Sequence, residues 1–177
     1  MYGELEQLEG QQRWRLRNTR VFPYPLEKVW RAITEPEHLA AWFPTTIDGE
    51  RKAGAKLTYA HPGNVSLPPM VGGMRAYEPQ RLIEFDWGGD VIRVELEPAG
   101  EGTRLTLSDT FGEYGKSARD AAGWHLCLAN LEAHLSNQQT GALQWKPLFA
   151  EYGRRFGPEA AAIGPPAGHP EAEGKAD

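Results

Sequence analysis

The sequence predicts a single α+β domain in which a curved antiparallel sheet wraps a long C-terminal helix around an apolar pocket. Three observations carry this. Short extended segments with two-residue alternation fill the middle of the chain, one long segment with helical periodicity follows them, and two short helices precede them. Such an order leaves too few helices to cover both faces of the sheet. The economical packing is a layer of sheet bent around the long helix.

The first extended segment is Arg13 to Phe22, where Arg13, Arg15 and Arg17 share one face and Trp14 and Leu16 the other. These arginines, with Arg20, read as a solvated strand face, since the chain carries a net charge of -5. Pro23 and Pro25 end the strand. Pro25 can open a helix, because the first turn needs no N–H from it. Leu26, Val29, Trp30 and Ile33 follow at helical spacing. Glu35 precedes Pro36 and is pushed out of the α region, so a second short helix runs from Pro36 to about Trp42.

Extended segments are then expected at Lys56–Ala60, Met74–Glu78, Arg81–Trp87, Val91–Glu97 and Thr103–Phe111. Turn signals separate them at His61-Pro62-Gly63, Glu78-Pro79, Gly88-Gly89 and Pro98 to Gly102. Ile92, Val94 and Leu96 alternate with Arg93, Glu95 and Glu97, the signature of a strand with one covered face and one wet face. Ser117 to about Gln138 is the long helix, with its stripe at Ala121, Trp124, Leu128, Leu131 and Leu135 and a loop around Gly141 after it. A further helix is expected from Pro147 to Phe156. Residues 1–12 read as a polar extension, 13–156 as the domain, and 157–177 as a disordered tail rich in Gly, Pro and Ala.

Composition narrows the function. Forty per cent of the 177 residues are hydrophobic and six are tryptophan, enough for an independent core. The mild negative charge argues against nucleic acid as a partner. No run is long enough for membrane insertion and no secretory leader is visible, so a cytoplasmic location is expected. Cys127 is the single cysteine, and His38, His61, His125, His134 and His169 show no ligand spacing such as His-x3-His. Neither a metal nor another cofactor is therefore expected. Gly72-Gly73 and Gly88-Gly89 are too short for a nucleotide loop, and Ser108 and Ser117 lack a nucleophile elbow.

The segment Pro25-Leu26-Glu27-Lys28-Val29-Trp30-Arg31-Ala32-Ile33-Thr34-Glu35-Pro36-Glu37-His38-Leu39-Ala40-Ala41-Trp42-Phe43 resembles the opening of the START-like (SRPBCC) superfamily. It is most similar to the branch named after the activator of heat-shock-protein-90 ATPase. Glu78-Pro79-Gln80-Arg81-Leu82, Gly102 to Leu107 and Gly123-Trp124 resemble later motifs of that branch, in the same order. The likeness extends from about Leu16 to Phe156. It implies a helix-grip fold with a cavity between sheet and last helix, which in the superfamily holds lipids, sterols or polyketides and in a few branches performs cyclase chemistry. Only about a dozen polar residues precede the first strand, with no match to the co-chaperone's separate N-terminal domain, so no chaperone partner is expected.

On this reading the ligand-facing set is Trp42, Phe43, Met74, Phe85, Trp87, Val94, Leu107, Trp124, Cys127, Leu128 and Leu131, taking a small apolar or aromatic ligand. The same residues could instead simply fill a core. His125 and Asp109 are the two candidate acid–base groups for the alternative, an enzyme of the cyclase or dehydratase kind; the balance favours a non-enzyme. Asp109 shares parity with Leu105 and Leu107 and so turns inward, where it could equally cap the loop before Ser117. A third alternative is a ligand-free interaction protein, with Trp145 to Phe156 available for a homodimer contact.

Overall fold

The computed structural model describes residues 1–62, 68–139 and 143–165. Gly63 of the expected turn, Gly141 of the expected loop and the chain beyond 165 lie outside the described residues. Seven strands form one sheet: β1 (Glu4–Gln7), β2 (Trp14–Phe22), β3 (Lys56–Tyr59), β4 (Met70–Glu78), β5 (Leu82–Trp87), β6 (Asp90–Ala99) and β7 (Gly102–Phe111). Their spatial order is β1-β2-β7-β6-β5-β4-β3, with every neighbouring pair antiparallel. Helices α1 (Leu26–Thr34) and α2 (Pro36–Leu39) follow β2, and α3 (Ser117–Leu135) and α4 (Trp145–Phe156) follow β7.

The register explains how the core is built. Leu16, Asn18 and Phe22 of β2 lie opposite Asp109, Leu107 and Thr103 of β7, and all six are buried. Ile92, Val94 and Leu96 of β6 continue the same covered face. Onto it packs α3, burying Trp124, Leu128, Leu131 and Leu135 at three- and four-residue steps. Across the opposite sheet face, Arg93 bridges Glu84 and Glu95 at 3.0 and 2.7 Å, a solvated strand surface as the alternation implied.

Several boundaries differ from the sequence expectation. The polar extension contains β1, which pairs edge to edge with β2 and sets Glu6 beside Arg15 and Arg17 on a solvent-exposed face. Backbone pairing supplies this strand's stability, and a polar composition hides it. The second short helix stops at Leu39, because Ala41 and Trp42 continue as turns and not as an α ladder. β4 starts at Met70 and runs through Gly72 and Gly73, and a bulge interrupts its register between Met74 and Ala76. At Gly72 a Cβ would lie 2.8 Å from the Asp86 carbonyl oxygen, so the close approach of β5 needs glycine there.

The chain after Phe156 is ordered further than expected. Pro158–Ala161 forms a 3-10 turn with Ala160 buried, and the Ile163 N–H donates to the Gly115 carbonyl at 3.0 Å. α4 begins at Trp145, with Pro147 accommodated in its first turn. It packs on α3 through Leu148 and Tyr152, both buried within the domain.

Leu128 has no exposed surface at the centre of the α3–sheet seam. Leu128→Ala is expected to cost roughly 2–5 kcal/mol of folding stability through lost burial and the cavity left behind. Urea unfolding of the variant checks this, and a loss below about 1 kcal/mol would place the main packing elsewhere.

Candidate functional site

The residues between the concave sheet and α3 form an aromatic cluster. Phe43 lies in the irregular segment after α2, and its ring is 5.3 Å from that of Trp42, 6.1 Å from Phe85, 5.2 Å from Trp87 and 5.7 Å from Trp124. Tyr59 adds contacts of 6.1 Å to Phe85 and 5.2 Å to Trp87. These are tilted and edge-on arrangements, each worth about 0.5–1.5 kcal/mol beyond the area buried. Trp42 is fixed by its indole N–H, which donates to the Ala32 carbonyl at 2.9 Å.

Of the expected ligand-facing set, Trp42, Phe43, Met74, Phe85, Val94, Leu107, Trp124, Leu128 and Leu131 are buried in one continuous core. Trp87 is half-buried and carries the cluster towards the surface. Cys127 is also half-buried, at the margin of the α3 stripe, where burial pushes its thiol up to about 12. Tyr59 was missed by sequence reasoning; its alternation with Leu57 in a four-residue strand was the available signal.

The rings lie within van der Waals and edge-on contact of one another. The gap bordered by Ile33, Leu39, Met74, Ile83 and Phe85 measures about 10 Å³, room for about one water molecule and no ligand. A larger depression of about 560 Å³ is open to solvent and lies elsewhere, between Leu26, Gln80, Arg81, Glu95 and Pro98. Its rim is mixed in charge and has none of the aromatic cluster in it.

Asp109 is the polar group at the seam. It is 2% exposed, and its Oδ2 accepts the Trp124 indole N–H at 2.9 Å while Oδ1 has no protein partner. It does not cap the following loop; the Ser117 hydroxyl donates to the Tyr114 carbonyl instead. Burial first, then the charges of Asp120 and Asp90, push its carboxyl up to about 8. Asp90 is raised too, chiefly by burial. Asp90, Asp109 and Asp120 bring carboxylate oxygens within 4.8 Å of one another. Two cations reach them: Lys116, whose Nζ meets Asp90 and lies 3.3 Å from Asp120, and Arg119, whose Nε lies 2.8 Å from Asp120. Burial opposes the charge on Lys116, but Asp120 and Asp90 outweigh it and its pKa is raised.

His125 faces a different neighbourhood. Its Nδ1 is 3.0 Å from the Tyr152 hydroxyl of α4, and its ring meets Tyr2 edge-on at 5.3 Å. The Tyr152 hydroxyl in turn accepts the Gly3 N–H at 2.9 Å. Burial, then Arg20 and the N-terminal amine, lower His125 to about 4, so it is neutral at physiological pH. Trp124 and His125 are successive residues on a helix and project about 100° apart. Asp109 and His125, the pair for the cyclase-like alternative, make their hydrogen bonds to different residues, Trp124 and Tyr152.

The family model described as Activator of Hsp90 ATPase homolog 1-like protein matches residues 23–136. The chain belongs to that family. Among solved structures it is similar to EF2215, a conserved protein of unknown function from Enterococcus faecalis, with a TM-score of 0.73 and 18% identity over 86% of this chain and 89% of that one. It is also similar to CalU16 from Micromonospora echinospora, with a TM-score of 0.68 and 19% identity over 89% and 96% of the two chains. BPP1335 from Bordetella parapertussis gives 0.61 and 24% over 88% and 90%. These likenesses establish the helix-grip fold. No curated protein sequence matches this chain. Among the described residues no helix is long and apolar enough to cross a membrane.

The two perturbed groups act on stability with opposite signs. Asp109, 3.8 ordinarily and about 8 in the fold, holds its proton in the folded state between those values, so its contribution falls as pH climbs through that window. His125, 6.5 ordinarily and about 4 in the fold, binds its proton only in the unfolded state between those values, so its contribution is lost as pH falls through them. Asp109→Asn keeps an acceptor for Trp124 and removes the ionisation. The variant is expected to be more stable than the parent at about pH 8.5 by roughly 1–3 kcal/mol, and to gain less at about pH 5. Urea unfolding at both pH values checks this; an equal effect at the two would separate the Asp109 proton from folding.

Proposed function

We propose that this chain is a binding module for a small apolar or aromatic ligand of the lipid or polyketide class, taken up between the concave sheet and α3. The observation that supports this reading is the position of Phe43. One ring, carried on a segment outside the regular elements, fills the centre of a box made by Trp42, Phe85, Trp87 and Trp124. A ligand ring can take the place of the Phe43 ring, with Trp87 marking the way in. Because the Phe43 ring occupies the centre of the box, uptake there requires Phe43 to leave first. Apparent affinity is then the intrinsic affinity reduced by the fraction of molecules with the box open. Trp124 would meet such a ligand with its ring, held in place by Asp109.

The small interior gap favours a second reading, an interaction protein with a sealed core that takes no ligand. Tryptophan fluorescence and melting temperature, followed against fatty acids and fused-ring aromatic polyketides, distinguish the two. The binding reading expects saturable quenching in the wild type. It also expects tighter binding in Phe43→Ala, where the plug no longer has to be moved, by on the order of tenfold for aromatic ligands. If the wild type shows neither quenching nor a melting shift with any of them, the sealed reading stands and the binding reading falls.

A further inference from the structure

Two histidines that the sequence sets far apart meet at the junction of α2 and α3. His38 Nδ1 lies 3.0 Å from His134 Nε2, with ring centroids 5.1 Å apart. The other nitrogen of His38, Nε2, is 3.4 Å from Glu35 Oε2. Glu35 is itself held by Arg31 through contacts of 2.8 and 3.1 Å. Glu35, Glu37 and His38 can bring one ligand atom each within 4.8 Å of one another. Both rings are only partly buried, so ions reach them from solvent.

We propose that His38 and His134 form a two-imidazole chelating site for a late first-row divalent cation of the nickel or copper class, with solvent in its remaining coordination positions. Two ring nitrogens 3.0 Å apart subtend about 90° at a metal placed roughly 2.0–2.1 Å from each. That is the angle between neighbouring ligands in square-planar or octahedral coordination, which Cu²⁺ and Ni²⁺ adopt with imidazole. A tetrahedral zinc ion would need the nitrogens about 3.4 Å apart, so it fits less well without movement.

The surroundings suit ligation. The carboxylate of Glu35 beside His38 Nε2 stabilises a proton there and leaves Nδ1 as the lone-pair donor, the arrangement in which a carboxylate orients a metal-bound histidine. Lys28 does not occupy the position between the rings; its Nζ donates to the Leu135 carbonyl at 2.8 Å and sits over the Tyr24 ring. Arg31 is likewise engaged by Glu35.

Isothermal titration of untagged full-length protein with NiCl₂ at about pH 7.5 tests the site, with MgCl₂ as the oxygen-seeking comparison. One saturable Ni²⁺ site and no Mg²⁺ binding are expected. His38→Ala and His134→Ala should each weaken Ni²⁺ by at least about tenfold. Metal-free melting curves establish that the variants fold. Should a variant fail to fold, electron paramagnetic resonance of the Cu²⁺-loaded wild type still decides, because two equatorial imidazole nitrogens split the signal in a recognisable pattern. Absence of saturable Ni²⁺ binding, unchanged affinity in His134→Ala, or a Cu²⁺ spectrum with a single imidazole would each overturn the proposal.

Discussion

Everything else in this molecule is arranged around the contact between α3 and the concave face of the sheet. The stripe Trp124–Leu128–Leu131–Leu135 has nowhere to go but onto Leu16, Val94, Leu105 and Leu107, and all of these are buried. The burial of a large aliphatic side chain is worth about 1.5–3 kcal/mol. Several such burials along one seam fix where α3 lies, and with it the ends of the sheet, the approach of α4 and the course of the chain between α2 and β3. Those elements then carry the polar groups into the positions from which they act.

Two polar clusters interrupt this apolar design, one on each side of the helix. At the N-terminal end, Asp109, Asp90, Asp120 and Lys116 share charge around the Trp124 indole. Nearer the N-terminal strand, His125 and Tyr152 lie beneath Gly3 and Tyr2. A Cβ on Gly3 would stand 2.5 Å from Asn18 Oδ1, so glycine lets the chain terminus close over this second cluster. Burial favours the neutral form of both Asp109 and His125, by the same desolvation acting on groups of opposite sign. The helix separates them, and this separation weighs against an acid–base mechanism using the two together.

The sequence made the covered faces legible because alternation and helical spacing report burial directly. Ile92, Val94 and Leu96, and Trp124 with its stripe, lie where those periods put them. The motif from Pro25 to Phe43 pointed to the family that the match over residues 23–136 establishes. Contacts without a periodic signature were not legible. β1 is short and polar and is held by backbone pairing, and the turn at Pro158 is held by packing on Ala160. Glu6 became the partner of Arg15 and Arg17 only once the hairpin closed, and His38 met His134 only through the packing of α1 and α2 beside α3. Inward parity identified Asp109, but its partner, Trp124, depended on the rotation of α3 about its axis, which spacing alone does not fix.

On the binding reading, the seam is a stable frame closed by one separable ring, that of Phe43. The segment carrying Phe43 lies outside α1 and α2 and is held by side-chain and turn contacts, among them the Trp42 indole on the Ala32 carbonyl, Arg51 on the Thr34 and Ile47 carbonyls, and the pairing of Thr46 and Asp48 with Ala60 and Thr58. Native-state amide hydrogen exchange tests this most directly. The Phe43 amide, donating to the Leu39 carbonyl at 2.8 Å, should exchange through a local opening at least roughly 2 kcal/mol less costly than the one that exposes the Leu128 and Leu131 amides of α3. If Phe43 exchanges only with global unfolding, at the same free energy as α3, the ring is part of the frame and the seam does not open.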